Sequence, residues 1–483
     1  MSHVIINADN IWCEVLGDQN VHTTLYDILK YHPPGYKHVY RYINGSWDGY
    51  NRLYDINYKR FRRGLLNRVV RSLSATGYTI SVVEATASKL PASGSFSLAN
   101  DVIKPYDFQS NIRSIIKQHN MGIITSPTGS GKTVMLAILL DELRLKSLVL
   151  VTDLVLLDQM QLALSKYFNT DIGIIGDGEF DLKDITVSTV QSILSMYKSG
   201  SSSAVYKKAK FLDWIDSVGV VVSDEAHLYD SDGVAQIMPL FKQSSRFYGL
   251  SATPYGWSGK SEQRSNLELE QHFGEIIYDT RKLDFISLGL RVPLVVDVVN
   301  NTPVNIKYRN HMKRIRGKLV PDHGKNYAEC LSTEILTRGE YHQMVADKVA
   351  ELNSLGMTVF VHAAHTIAFG DAITKLIPGA EFVSGSTPRQ RRREIYQAMR
   401  DGQLQTIVSD VGGTGLDIPS LGAIVLASDL QDVRQIVGRV IRKSQNKDYG
   451  MVVDFRTDCD YLSKHADTRR YQYEYENAII TNS

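Results

Sequence analysis

Residues 121–133 read Met-Gly-Ile-Ile-Thr-Ser-Pro-Thr-Gly-Ser-Gly-Lys-Thr. The apolar run 121–124 predicts a short buried strand, and the apolar periodicity of 134–140 predicts a helix. Between them lies a loop of Ser126, Pro127, Thr128, Gly129, Ser130 and Gly131. Strand, glycine loop and helix in that order give a P-loop its context. A phosphate chain needs several backbone N–H groups converging on it, and a helix N-terminus offers them with a favourable dipole. Glycine lets the backbone approach closely and turn left-handed. Lys132 would then lie on the β- and γ-phosphates and Thr133 on Mg²⁺. The strict pattern wants glycine where this chain has Ser126. An ordinary strand–turn–helix with an incidental Gly-Lys-Thr is the competing reading, and the rest of the chain weighs against it.

Residues 218–222 form an apolar, β-branched run that ends in Ser223-Asp224-Glu225-Ala226-His227. A buried strand delivering two adjacent carboxylates suits Mg-ATP hydrolysis. Asp224 is the candidate metal holder, and Glu225 is the candidate acceptor of a proton from attacking water. The run 247–250 repeats the device and ends in Ser251-Ala252-Thr253-Pro254. Runs at 147–152 and 185–187 also end in polar residues, with Thr152 and Gln191 just beyond them. That carboxyl edge is where ligands bind in parallel α/β sheets. Upstream, Gln109 has both a carbonyl and an amide and so matches the N6/N7 edge of adenine.

At 483 residues the chain is long enough for about three domains. Its hydrophobic fraction of 43% and charged fraction of 22% are those of a globular protein. A net charge of +2 allows nucleic-acid binding only through local basic surface. The cysteines 13, 330 and 459 are too dispersed for a zinc spacing or a disulfide framework, so a reducing, intracellular setting is expected. No apolar run has bilayer-spanning length, and no membrane partner is expected.

Residues 1–90 read as a small α/β domain with strands at 11–15 and 37–43 and a helix at 22–31. From 36 to 71, tyrosines alternate with cations, and Trp47, Arg52, Arg62 and Arg63 are among them. Such a stretch can contact phosphates and stack on bases, or it can be a basic face over a tyrosine-rich core. The two readings carry equal weight. Residues 86–100 read as a linker, 101–295 as a first ATP-binding domain and 296–333 as a basic connector. A second α/β series follows over 334–456, with a helix at 340–355 and strands at 358–361, 380–383, 406–409 and 423–427. His362 and His365 have no acid or cysteine beside them and read as a strand end, not a metal site. A glycine-rich loop at 410–419 contains Gly415 and Asp417. Gln435, Arg439 and Arg442 are spaced to share one helical face, and an arginine face suits an external anion. Residues 457–483 read as a helical tail.

Gln109, the 129–133 loop, Asp224-Glu225-Ala226-His227, Ser251-Ala252-Thr253, the 413–417 loop and Gln435…Arg439…Arg442 occur in the order of a superfamily 2 helicase. Over residues 104–455 the chain resembles that family, in its DEAH-box form. Gly45-Ser46-Trp47-Asp48-Gly49, Arg52-Leu53-Tyr54-Asp55 and Arg469-Arg470-Tyr471 are similar to the phage UvsW-type DNA helicases. The resemblance implies two tandem RecA-like parallel-sheet domains after the small α/β domain, with ATP and Mg²⁺ bound between them. It gives Gln109 the adenine and Lys132 and Thr133 the phosphates and metal. Asp224 takes the metal, Glu225 the water, and Gly415 and Asp417 nucleotide and strand contacts. It makes His227, Ser251 and Thr253 coupling residues and Arg439 and Arg442 arginine fingers, with Gln435 beside them. Phe108 departs from the tyrosine frequent there. Branched or forked DNA is the implied partner, met by a monomer in a host-cell cytoplasm. RNA, or duplex DNA tracked without unwinding, are the alternatives.

Overall fold

Short strands buried on both faces lie at the centre of the largest sheet. In Ser147–Val151, Ile185–Thr189 and Val220–Ser223 every residue is buried, as parallel strands covered by helices require. The computed structural model describes residues 3–33, 35–85, 92–99, 102–228, 232–254, 262–315, 318–410, 418, 420–445 and 447–483. It divides into two units, residues 1–127 with 131–283, and residues 128–130 with 284–483.

The first unit holds an eight-stranded sheet. Its order is Glu179–Asp181, Gly173–Gly176, Ile185–Thr189, Ser147–Val151, Val220–Ser223, Arg246–Ser251, Met121–Thr125 and Ile276–Asp279. All neighbours are parallel except the outer hairpin of Gly173–Gly176 with Glu179–Asp181. Side chains cap two of the connecting helices where strands end. Asp153 accepts from the N–H groups of Val155 and Leu156, and Thr189 accepts from Ser192.

A five-stranded sheet belongs to the same unit, in the order Tyr54–Asp55, Arg60–Arg62, Trp12–Leu16, His3–Ala8 and Thr79–Glu84. The 37–43 stretch read as a strand is instead a 3-10 turn, Tyr36–His38, and a short helix, Tyr40–Ile43. Coiling brings Tyr36 onto the His32 ring at 4.0 Å and edge-on to Tyr42 at 5.0 Å, contacts that a strand would separate. The small sheet docks on the helix Glu262–Phe273, whose Leu267 enters its core. That helix begins inside the polar stretch 257–266 that reads as a loop. A Cβ on Gly64 would collide with the Glu270 carbonyl, so glycine sets how closely the two pieces meet. Arg68 reaches buried Glu270 at 2.8 Å, and Arg71 pairs with Glu275. The linker read at 86–100 lies partly outside the described residues, which resume at 92.

Glu268 on the docking helix accepts a hydrogen bond from the Tyr31 hydroxyl, and burial pushes its carboxyl up to about 7. Its folded pKa therefore lies above the unfolded value of about 4.3. The folded form binds the extra proton, so this contribution to stability is full below the unfolded pKa and is lost as pH rises through about 7. Glu268→Gln should raise the unfolding midpoint by about 2–4 °C at pH 8, with the gain shrinking toward pH 5. A thermal scan at both pH values checks this, and an equal gain at both would count against it.

The second unit contains a seven-stranded, all-parallel sheet. Its order is Glu381–Val383, Thr406–Ser409, Thr358–His362, Leu421–Leu426, Gly450–Thr457, Leu294–Asn301 and Ile479–Asn482. Leu294–Asn301 crosses the sequence boundary drawn at 295/296 and pairs along its whole length with Gly450–Thr457. The stretch read as a connector also holds the hairpin Met312–Ile315/Lys318–Pro321 and the helix His323–Leu331. The helix Leu462–Tyr475 is followed by the edge strand Ile479–Asn482. Cys330 and Cys459, distant in sequence, bring their thiols to 3.3 Å in this core.

Candidate nucleotide site

The strands Val220–Ser223, Arg246–Ser251 and Met121–Thr125 are consecutive neighbours, with Ser223 beside Gly249 and Ser251 beside Thr125. Their parallel register delivers Asp224, Ser251 and the loop at 126 to one carboxyl edge, although the loop lies 98 residues before Asp224 and 125 before Ser251.

The loop 126–131 carries Pro127, Thr128 and Ser130 between the strand and the helix Lys132–Leu143. Gly129 and Gly131 have φ of +84° and +81°, which glycine tolerates without strain. A Cβ at Gly131 would strike the Gln109 side-chain amide, so Gln109 closes one side of the loop. Gln109 is buried, and its Oε1 accepts from the Tyr106 N–H at 3.0 Å. Gly131 is the helix N-cap and carries no capping side chain. The first-turn N–H groups at Lys132 and Thr133 are thus presented as an anion cradle.

Ser126, the departure from glycine, is fully buried and accepts a hydrogen bond from the Thr280 hydroxyl at 2.7 Å. Its N–H donates to the Ser251 carbonyl at 3.0 Å. The Thr280 N–H donates to the Thr125 carbonyl at 2.9 Å. Thr280 follows the edge strand Ile276–Asp279 and has no motif around it; only the structure identifies it.

Lys132 Nζ lies 3.5 Å from Glu225 Oε1. The other Glu225 oxygen is 3.6 Å from His227 Nδ1, which is hydrogen-bonded to Ser251 Oγ at 2.8 Å. Ser251 Oγ also accepts from the Thr253 N–H at 3.0 Å. A row of neighbouring polar groups therefore runs from Lys132 past Glu225 to His227, Ser251 and Thr253, hydrogen-bonded from His227 onward. Glu225 has φ +49°, an unusual conformation for a non-glycine residue, and its N–H donates to Asp224 Oδ1 at 3.0 Å.

Thr152 and Gln191 lie just past two adjacent strands, Ser147–Val151 and Ile185–Thr189, on this same edge. The other nucleic-acid candidates do not join them. Arg63 pairs with Glu84 at 2.7 Å and lines a cavity of about 510 Å³ with Met121 and Phe247, at the amino ends of the strands. Arg62 lies 3.9 Å over the Trp12 ring and donates to the Ala235 carbonyl at 3.1 Å. Burial, with Arg60 nearby, pushes its pKa down to about 10. Arg62 thus reaches across to the Ala235 carbonyl and Arg63 pairs within the small sheet, both at the edge opposite Thr152. Arg52 pairs with Asp48 and lies 4.4 Å over Tyr26, while Trp47 Nε1 donates to the Tyr50 carbonyl at 2.8 Å.

In the second unit, Gln435 and Arg439 lie on the helix Arg434–Val440, seated through Ile436, Val437 and Val440. The helix ends before Arg442, so the shared face expected from spacing holds for Gln435 and Arg439 only. Arg442 instead forms an antiparallel bridge with Arg291. Gly415 and Asp417 lie outside the described residues. His362 is buried at its strand end and hydrogen-bonded to Ser428 at 3.1 Å; no metal-binding cluster of His, Cys, Asp and Glu occurs among the described residues.

A glycine loop feeding an uncapped helix, with a lysine and the Glu225 carboxylate meeting at it, defines a P-loop nucleotide hydrolase. Residues 80–256 match the family "Type III restriction enzyme, res subunit". The chain is 27% identical over 409 residues to the DNA 3'-5' translocase XPB2 of Sulfurisphaera tokodaii, covering 79% of this chain and 88% of the relative. It is 23% identical over 480 residues to the ATP-dependent DNA helicase uvsW of Enterobacteria phage T4, covering 94% and 90%. The fold is shared with S. cerevisiae Dbp5 bound to RNA and ADP BeF3, at a TM-score of 0.53 and 14% identity, over 79% of this chain and 90% of that one. The chain is a homologue of superfamily 2 helicases, with their tandem parallel-sheet architecture and their use of ATP. No helix among the described residues is long and apolar enough to cross a membrane.

Proposed function

We propose that the chain is an ATP-driven DNA motor that unwinds or branch-migrates forked and branched DNA in recombination, replication or repair. The observation that carries this is the polar row from Lys132 past Glu225 and His227 to Ser251. It ties the phosphate-binding lysine to the strand end that couples nucleotide state to movement. A triphosphate competes with Glu225 for Lys132. Once the lysine turns to phosphate, the Glu225 carboxylate is released to accept a proton from water. His227 then passes the change to Ser251, which also holds Ser126 and Thr253.

Asp224 and Thr133 are the residues to hold Mg²⁺. Mg²⁺ takes one or two protein ligands with phosphates and waters, so one carboxylate and one hydroxyl beside an anion cradle fit it. When bound, the ion neutralises charge on the β- and γ-phosphates. Arg439 and Arg442 are proposed to reach the γ-phosphate as the two lobes close, and Gln435 to help position the water. Gly415 and Asp417 are proposed to join nucleotide and strand. Nucleic acid is proposed to cross the carboxyl edge near Thr152 and Gln191, with Trp47 and Arg52, outside the five-stranded sheet, as outlying contacts. A monomer acting in the cytoplasm is the accompanying proposal.

ATP hydrolysis measured with single strand, duplex, fork, four-way junction and RNA tests the substrate class. Forked and four-way DNA should stimulate turnover most; stimulation by RNA alone would overturn the DNA reading. The match to a restriction-enzyme motor family favours one second reading, a duplex translocase that does not separate strands. Triplex displacement without strand separation would select it.

A further inference from the structure

The helix Arg434–Val440 has no side-chain cap of its own at Val433. The cap comes from the helix Leu462–Tyr475. Gln472 Oε1 accepts from the Val433 N–H at 2.9 Å, and Gln472 Nε2 donates to the Gln431 carbonyl at 2.8 Å. One turn earlier, Arg469 donates to the Leu430 carbonyl at 2.7 Å and to Asp429 Oδ1 at 3.2 Å. Its guanidinium is anchored in turn on Asp454 at 2.8 Å, and Tyr473 donates to that same carboxylate at 2.8 Å. His465 and Tyr327 complete the ring of contacts around Asp429. Arg469 and Gln472 are 3% and 4% exposed, and their spacing of three places them on one buried face.

Residues 429–433 lead directly into the helix that carries Gln435 and Arg439. Their backbone and the Asp429 carboxylate are held from the later helix. At the other end, Val292 N–H donates to the Ile441 carbonyl and Lys443 N–H to the Leu290 carbonyl. The arginine-bearing segment is therefore clamped at both ends, and the N-terminal clamp is made of two side chains that touch no nucleotide motif.

We infer that Gln472, supported by Arg469, is a positioning residue for hydrolysis, setting the start and direction of the helix that presents Gln435 and Arg439 to the nucleotide. This rests on the motor reading and deepens it. A helix start left loose shifts an arginine by the ångström or so that phosphoryl-transfer geometry does not tolerate. The residue acts on turnover, not on ground-state binding, because the nucleotide's binding loop belongs to other residues.

The test compares wild type, Lys132→Ala, Gln472→Ala and Gln472→Glu in fork-stimulated ATP hydrolysis, with each preparation's folded fraction measured by thermal unfolding. Gln472→Ala should lower kcat roughly tenfold while the KM for ATP stays within about twofold. Gln472→Glu keeps the acceptor for the Val433 N–H but can donate to the Gln431 carbonyl only when protonated, so it should recover part of that loss, and more of it at pH 6 than at pH 8. Equal kcat in Gln472→Ala and wild type overturns the inference, as does a loss matching the unfolded fraction or one that Gln472→Glu shares in full at both pH values. Wild type without Lys132-dependent turnover overturns the motor reading, and this inference with it.

Discussion

Lys132→Ala should lower nucleic-acid-stimulated ATP hydrolysis by roughly 10²–10³-fold, the loss typical of removing one preorganised stabilising group from a reacting centre. The lysine is the first residue of the helix that follows Gly131, so its ammonium and the first-turn N–H groups address the same anion. The Lys132 side chain is only 10% exposed, and water replaces its charge poorly at such a site. Removing it should leave the fold intact. Glu225 keeps His227 at 3.6 Å, and Ser251 keeps both His227 and the Thr253 N–H. The unfolding midpoint should therefore stay near that of wild type while turnover collapses. Turnover within threefold of wild type in a folded variant would remove Lys132 from the phosphate site and take the polar row's meaning with it.

The parts of this site legible in the sequence are those where one strand hands its ligand residue straight to the next loop. The 121–133 and 220–225 segments are of this kind, because a fully buried strand is a hydrophobic run and its end is marked by the first polar residues. What was not legible depends on partners far along the chain. Thr280 reaches Ser126 only because Ile276–Asp279 pairs with Met121–Thr125, and no local pattern announces that pairing. The basic, tyrosine-rich stretch reads alike whether it binds phosphate or braces a domain. The structure adds that Arg63, Arg68 and Arg71 face the carboxylates of Glu84, Glu270 and Glu275, all of which lie outside that stretch. The strand Leu294–Asn301 was lost in a boundary for a related reason: its partner Gly450–Thr457 lies beyond the whole second series of strands and helices. Spacing likewise placed Arg442 on a helix that ends two residues before it, since the Arg291 bridge takes over the backbone there.

Arg442→Ala should leave nucleotide affinity within about threefold of wild type and reduce hydrolysis roughly 10³-fold, the lower end of what an arginine finger supplies. Its backbone is fixed by the Arg291 bridge, so a side-chain truncation should not disturb the helix before it. Its surroundings are rich in cations. Arg291 pairs with Glu476 at 3.0 Å, and buried Lys447 has its pKa lowered to about 8, first by burial and then by the charge of Arg442. Positive charge gathered in this way attracts an incoming anion. A guanidinium matches phosphate oxygens with a planar fork that an ammonium lacks, so Arg442→Lys should restore little of the rate. Binding of a fluorescent nucleotide analogue, measured beside single-turnover hydrolysis, separates the two effects. Affinity that falls in step with the rate would make Arg442 a ground-state binding residue, and an unchanged rate would exclude it from the γ-phosphate altogether.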